Sequence, residues 1–151
     1  MEKIIYLDCA ATTPMYQEVV AEMNKFYLEN YGNPSSLHQL GENAQEAVNE
    51  ARKNLAKEIN AKPQEIIFTS GSTESNNLAF FGLAKANKNK KKIIISAIEH
   101  SSIFEICGAL KKEDYQIVEV PVDKDGILDI GILEKEIDKD TLLVSVMQVN
   151  N

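Results

Sequence analysis

The sequence predicts an α/β fold with a mainly parallel sheet and flanking helices. Two observations carry this. After Pro63, short apolar runs recur at Ile66–Thr69, Lys92–Ser96, Gln116–Val120 and Thr141–Met147. Between them lie stretches with helical spacing of apolar residues, at Glu74–Ala86, Ser101–Leu110 and about 130–137. Apolar strands joined by helices imply parallel pairing, because a parallel partner is reached through a crossover and both sheet faces are then covered.

The first 62 residues read differently. A short apolar run to Tyr6 leads into the small-residue segment Asp8-Cys9-Ala10-Ala11-Thr12-Thr13-Pro14, where Pro14 disfavours helix at Thr13. From Tyr16 to about Leu28, Val19, Val20, Met23, Phe26 and Tyr27 fall on one helical face. Asn30-Tyr31-Gly32-Asn33-Pro34-Ser35-Ser36 has the composition of a loop. A longer amphipathic helix is expected from Leu40 to Ile59, with Ala44, Ala47, Val48, Ala51, Leu55 and Ile59 inward. The chain is thus expected to hold a helical part at 1–62 and an alternating β/α part at 63–151. No helix follows the last apolar run to cover it, so a piece of a longer α/β chain is expected.

The 151 residues are 44% hydrophobic and 26% charged, an ordinary balance for a globular domain. The net charge of −7 disfavours a nucleic-acid partner or an anionic membrane surface. The basic run from Lys85 to Lys92 reads as a solvated helix-to-strand connection. No apolar run is long enough to span a bilayer, and no basic segment precedes an apolar core at the N-terminus, so neither a membrane span nor a signal peptide is expected. Two cysteines, Cys9 and Cys107, are too few for a disulfide framework and suit a reducing cytoplasm. With His38 and His100 the only histidines, no metal-ligand cluster is expected.

The candidate chemistry lies at the carboxyl ends of the predicted strands, where open α/β sheets bind ligands. Ser70-Gly71-Ser72-Thr73 follows the first run, Glu99-His100-Ser101-Ser102 the second, and Gln148-Val149-Asn150-Asn151 the fourth. A helix starting just after Gly71 presents unpaired N–H groups and a partial positive charge, with Ser72 and Thr73 adding hydroxyl donors. That is a seat for a phosphate. The same spacing also fits Ser72 as a plain N-cap. The segment is neither a P-loop nor a dinucleotide fingerprint, both of which need further glycines.

An ordered set of segments resembles the cysteine desulfurases of the class V aminotransferase family. These are Tyr6-Leu7-Asp8 with Ala10–Pro14, Tyr31–Ser36 with His38, Phe68–Asn77, Glu99-His100, Asp125–Asp129, and Leu143–Met147 with Val149-Asn150-Asn151. The resemblance implies the first part of a fold-type-I large domain and pyridoxal 5'-phosphate as cofactor. It implies a phosphate held by Ser72 and Thr73, a catalytic His100 stacked on the pyridine ring, and Asn151 bonded to the ring's phenolic oxygen. Asn33, Ala11 and Thr12 would lie near the substrate. Full-length relatives convert L-cysteine to L-alanine and leave sulfur on an enzyme cysteine as a persulfide. They act as homodimers that serve a sulfur acceptor or iron–sulfur scaffold protein. None of this chain's lysines matches the family's cofactor-binding lysine, and neither Cys9 nor Cys107 matches its sulfur-accepting cysteine, so the chain alone is expected to be inactive. A selenocysteine lyase or another class V enzyme would share these early motifs, and a non-enzymatic remnant or interaction module that keeps half the fold is the alternative of a different class.

Overall fold

The computed structural model describes residues 4–150. The chain divides into two compact units, Met1–Phe68 and Thr69–Asn151.

The first unit is built on two helices, α1 (Gln17–Leu28) and α2 (Gln39–Glu58), followed by a single 3-10 turn at Pro63–Glu65. His38 caps α2, its Nδ1 accepting from the Gly41 N–H. The loop before α2 packs closely on that helix start. A Cβ on Gly32 would lie 2.0 Å from the Leu40 carbonyl oxygen, and one on Gly41 would lie 2.2 Å from that of Ser36. Within the loop, Asn33 Oδ1 accepts from the Ser35 N–H at 2.9 Å, an Asx turn.

The second unit is α/β. It contains α3 (Ser72–Ala86), β1 (Lys92–Ser96), α4 (Ser101–Lys111), β2 (Gln116–Val120), α5 (Ile130–Glu136) and β3 (Thr141–Ser145). The strands form a parallel sheet in the order β2-β1-β3. β1 is central and every residue of it is buried, which explains its unbroken apolar run rather than an alternating one. Ile93 and Ile95, two residues apart and so on one face, join Phe80 and Ala84 of α3 with Ile103, Ile106, Cys107 and Leu110 of α4 in one core. Tyr115 closes this core, its hydroxyl donating to the Ala84 carbonyl at 3.0 Å. At the other end of β1, the Lys92 ammonium pairs with Glu136 at 3.1 Å and Asp138 at 3.2 Å, tying the start of the strand to the end of α5.

The expectation of four strands is corrected to three among the described residues. Ile66–Thr69 is apolar but forms no ladder. The Ile66 N–H bonds to the Pro63 carbonyl, and its own carbonyl accepts from Arg52 Nε. Ile67 and Phe68 are 67% and 47% exposed. An apolar run becomes a strand only with a neighbour to pair its backbone, and no strand among the described residues pairs with this one. The last strand ends at Ser145 rather than Met147, because residues 146 onward leave the ladder. The remaining elements match the sequence expectation to within two residues at each end.

Candidate cofactor site

Ser72, Asn76, Glu99, His100, Ile103, Ser145, Val146 and Met147 line a cleft of about 340 Å3 in the second unit. It gathers the start of α3, the start of α4 and the exit of β3, the carboxyl-end position expected for this fold class. Its volume falls at the lower end of the range for small-molecule sites, about 300–1,000 Å3.

The turn before α3 is held by its own side chains. Thr69 Oγ1 and Ser75 Oγ lie 2.7 Å apart and each lies 3.2 Å from the Gly71 carbonyl oxygen, so one hydroxyl donates to the other and the second donates to the carbonyl. Glu74 reaches back, its Oε2 accepting from both the N–H and the hydroxyl of Ser70 at 2.6 Å. The Ser70 hydroxyl, and then its N–H, hold the Glu74 carboxyl below its ordinary pKa. The N-cap is Gly71, not Ser72, and no side chain caps the helix. Ser72 therefore stands one position inside, which corrects the plain N-cap alternative. Thr69, Ser70 and Ser75 hydroxyls are engaged within the turn, whereas those of Ser72 and Thr73 carry no protein hydrogen bond among the described residues. An uncapped helix start with two free hydroxyls is a donor set suited to an anion, so the residues present fit a phosphate-bearing cofactor.

His100 is the N-cap of α4. Its Nδ1 accepts from the Ser102 N–H at 3.2 Å and lies 2.9 Å from the Ser102 hydroxyl. Ser102 Oγ in turn accepts from Asn76 Nδ2 at 3.0 Å, which joins α3 to α4.

Ser72 and His100 thus line one cleft, with Thr73 beside Ser72 on the first turn of α3. Ala11, Thr12 and Asn33 belong to the first unit and are exposed. Asn151 lies outside the described residues. Sequence reasoning missed Glu99 as a structural centre of the cleft. The residue is 7% exposed, and one oxygen, Oε1, accepts from the Ser96 hydroxyl at 2.9 Å and the Met147 N–H at 2.7 Å. It binds the end of β1 to the exit of β3. The Asn150 amide, donating to the Ile98 carbonyl, holds the same segment further on. The available signal was a carboxylate three residues beyond a strand whose centre, Ile93–Ile95, is apolar, where only a buried partner offsets the cost of its burial.

A profile of the Aminotransferase class-V family matches residues 5–151. The chain belongs to the class V aminotransferase family. Its members are generally pyridoxal-phosphate enzymes. It is 48% identical to "Cysteine desulfurase IscS" of Dictyoglomus turgidum over 152 aligned residues, covering 100% of this chain and 39% of that protein. It is also 48% identical to "Cysteine desulfurase, mitochondrial" of Saccharomyces cerevisiae, covering 97% of this chain and 30% of that protein. Among solved structures, a "NifS-like protein" superposes with a TM-score of 0.89 at 40% identity, over 93% of this chain and 39% of that one. The apo cysteine desulfurase of Thermococcus onnurineus superposes with a TM-score of 0.86 at 34% identity, over 98% of this chain and 37% of that one. The chain therefore spans well under half the length of these relatives.

Proposed function

We propose that this chain supplies the phosphate seat and one ring face of a pyridoxal-phosphate site in a cysteine desulfurase. The observation that carries the reading is the pairing, in one cleft, of an uncapped helix start bearing free hydroxyls with a histidine at the next strand end. Ser72 and Thr73 would donate hydroxyl and backbone N–H bonds to the phosphate, where the partial positive charge of α3 adds to them. His100 would lie against the ring, and Asn151 would bond its phenolic oxygen. When bound, the cofactor supplies an electron sink for carbanion chemistry on an amino acid. The chain's own residues bind and orient it, and Glu99 fixes the wall of the cleft formed by residues 145–147.

The substrate proposed is L-cysteine, with sulfur passed to a thiol and then to an acceptor or iron–sulfur scaffold protein. The assembly proposed is a homodimer of the full-length enzyme, with Asn33, Ala11 and Thr12 near the substrate. Cys107 does not suit the thiol role. It is buried among apolar side chains, and that burial pushes its pKa up to about 11, away from the thiolate that sulfur transfer needs. No helix among the described residues is long and apolar enough to cross a membrane; a cytoplasmic setting is part of the proposal.

The test is alanine release from L-cysteine with added pyridoxal phosphate. It is run on this chain, on the downstream portion of a full-length relative, and on the mixture. Turnover is expected only in the mixture. Turnover by this chain alone would contradict the assignment, since it would place the covalent machinery among these residues.

A further inference from the structure

His100 meets two donors through one ring nitrogen. A backbone N–H can only donate, so the Ser102 amide at 3.2 Å requires an unprotonated Nδ1. The Ser102 hydroxyl sits 2.9 Å from that same nitrogen. With Nδ1 unprotonated the hydroxyl must be the donor in that contact, and its oxygen accepts a hydrogen from Asn76 Nδ2 at 3.0 Å. Every hydrogen in the chain Asn76–Ser102–His100 then runs one way, toward the imidazole. Such a chain fixes both the tautomer and the ring orientation. Ser102 and Asn76 are both half-buried, which shields the bond between them from competing water, whereas the His100 ring is exposed to the cleft side and to solvent.

We infer that Asn76 and Ser102 are positioning residues that hold His100 as the Nε2–H tautomer, so that it offers a ligand in the cleft a hydrogen-bond donor and not an acceptor. The ligand group facing Nε2 is then an acceptor: a carboxylate, a carbonyl or a phenolate oxygen. His38 gives the contrast within the same chain. It too is an N-cap accepting at Nδ1, but from one N–H, at 3.4 Å, with no hydroxyl hydrogen-bonded to it among the described residues. The inference deepens the proposed role of His100 and rests on that reading only for the ligand's identity.

The test is nitrogen NMR of the full chain labelled in its two histidines, at pH 8 and without cofactor. His100 Nδ1 is expected to show the shift of an unprotonated ring nitrogen and a through-hydrogen-bond coupling to the Ser102 amide. Ser102→Ala keeps the amide but removes the hydroxyl. It should preserve the coupling and lower the Nε2–H to Nδ1–H ratio by about two- to tenfold, as for loss of one hydrogen bond. Ser102→Thr should restore the ratio. Asn76→Asp replaces the donor by an acceptor that draws the hydroxyl hydrogen away, and should lower the ratio at least as far. His38, in the first unit, should be unchanged throughout, and unchanged amide shifts for Ile93 and Ile95 in the core of the second unit report that the variants fold. A protonated Nδ1 in the wild type, or an unchanged ratio in both Ser102→Ala and Asn76→Asp, would overturn the inference. Cofactor affinity, measured separately, decides the functional proposal and leaves this result untouched.

Discussion

Replacing Glu99 tests how the cleft is built. Its Oε1 is the acceptor for two donors: the Ser96 hydroxyl, on a residue with no solvent exposure, and the Met147 N–H. Glu99→Ala removes both bonds and leaves the Ser96 hydroxyl in a site that water does not reach. Leaving one buried polar group unsatisfied costs about 1–3 kcal/mol. The Met147 amide, nearer the surface, is rehydrated at lower cost, so the expected total is about 2–4 kcal/mol. Glu99→Gln keeps an amide oxygen at the same reach and should cost about 1 kcal/mol. Urea unfolding followed by circular dichroism reads the difference. With a slope of about 2 kcal/mol per molar urea, the middle of the usual range, Glu99→Ala should lower the midpoint by roughly 1–2 M. Hydrogen exchange gives the local check: the Met147 amide should be protected in the wild type and in Glu99→Gln, and exchange freely in Glu99→Ala. A Glu99→Ala stability loss within the range of an ordinary surface substitution, about 0.5 kcal/mol, with Met147 still protected, would refute the account.

Gly41→Ala should destabilise the first unit by about 1–3 kcal/mol, since its Cβ would lie 2.2 Å from the Ser36 backbone oxygen; thermal unfolding measures this, and an unchanged midpoint would disprove the close approach. A thiol reagent at pH 8 should modify exposed Cys9 quickly and buried Cys107 only on unfolding. Because burial raises the folded pKa of Cys107 from 9.0 to about 11, the folded state retains its proton longer, and stability should fall as pH rises between those values. Glu74 behaves in the opposite sense. Its folded pKa is depressed by Ser70, so its contribution is present above the unfolded value near 4.5 and fades as pH falls through the folded one. The Ser70 amide shift should titrate with a midpoint below 4.5, and Glu74→Gln should abolish that step.

The second unit was legible because its signals are local. The apolar run at 92–96 is buried on both faces as a central parallel strand should be, and the helices between strands carry their own spacing. Ile66–Thr69 misled because strand formation needs a neighbour, and sequence periodicity does not contain the neighbour. In the cleft, Ser72 and His100 were readable as small or polar residues at helix starts beyond strand ends. Glu99 was not, because what distinguishes it is burial against Ser96 and Met147, the latter 48 residues away in the chain. The Asn76–Ser102 bond escaped for the same reason: each residue alone reads as an ordinary polar position on a helix.

The central claim, a phosphate seat at the start of α3, is tested most directly by the affinity of this chain for pyridoxal phosphate against pyridoxal, which lacks the phosphate. Both are measured by titration calorimetry on the wild type and on Thr73→Val. The account predicts that pyridoxal phosphate binds far more tightly than pyridoxal. Thr73→Val should weaken the phosphate form by about tenfold, the worth of one charge-assisted hydrogen bond, and leave pyridoxal unaffected. Equal affinities for the two compounds, or a Thr73→Val chain that binds pyridoxal phosphate as the wild type does, would contradict it.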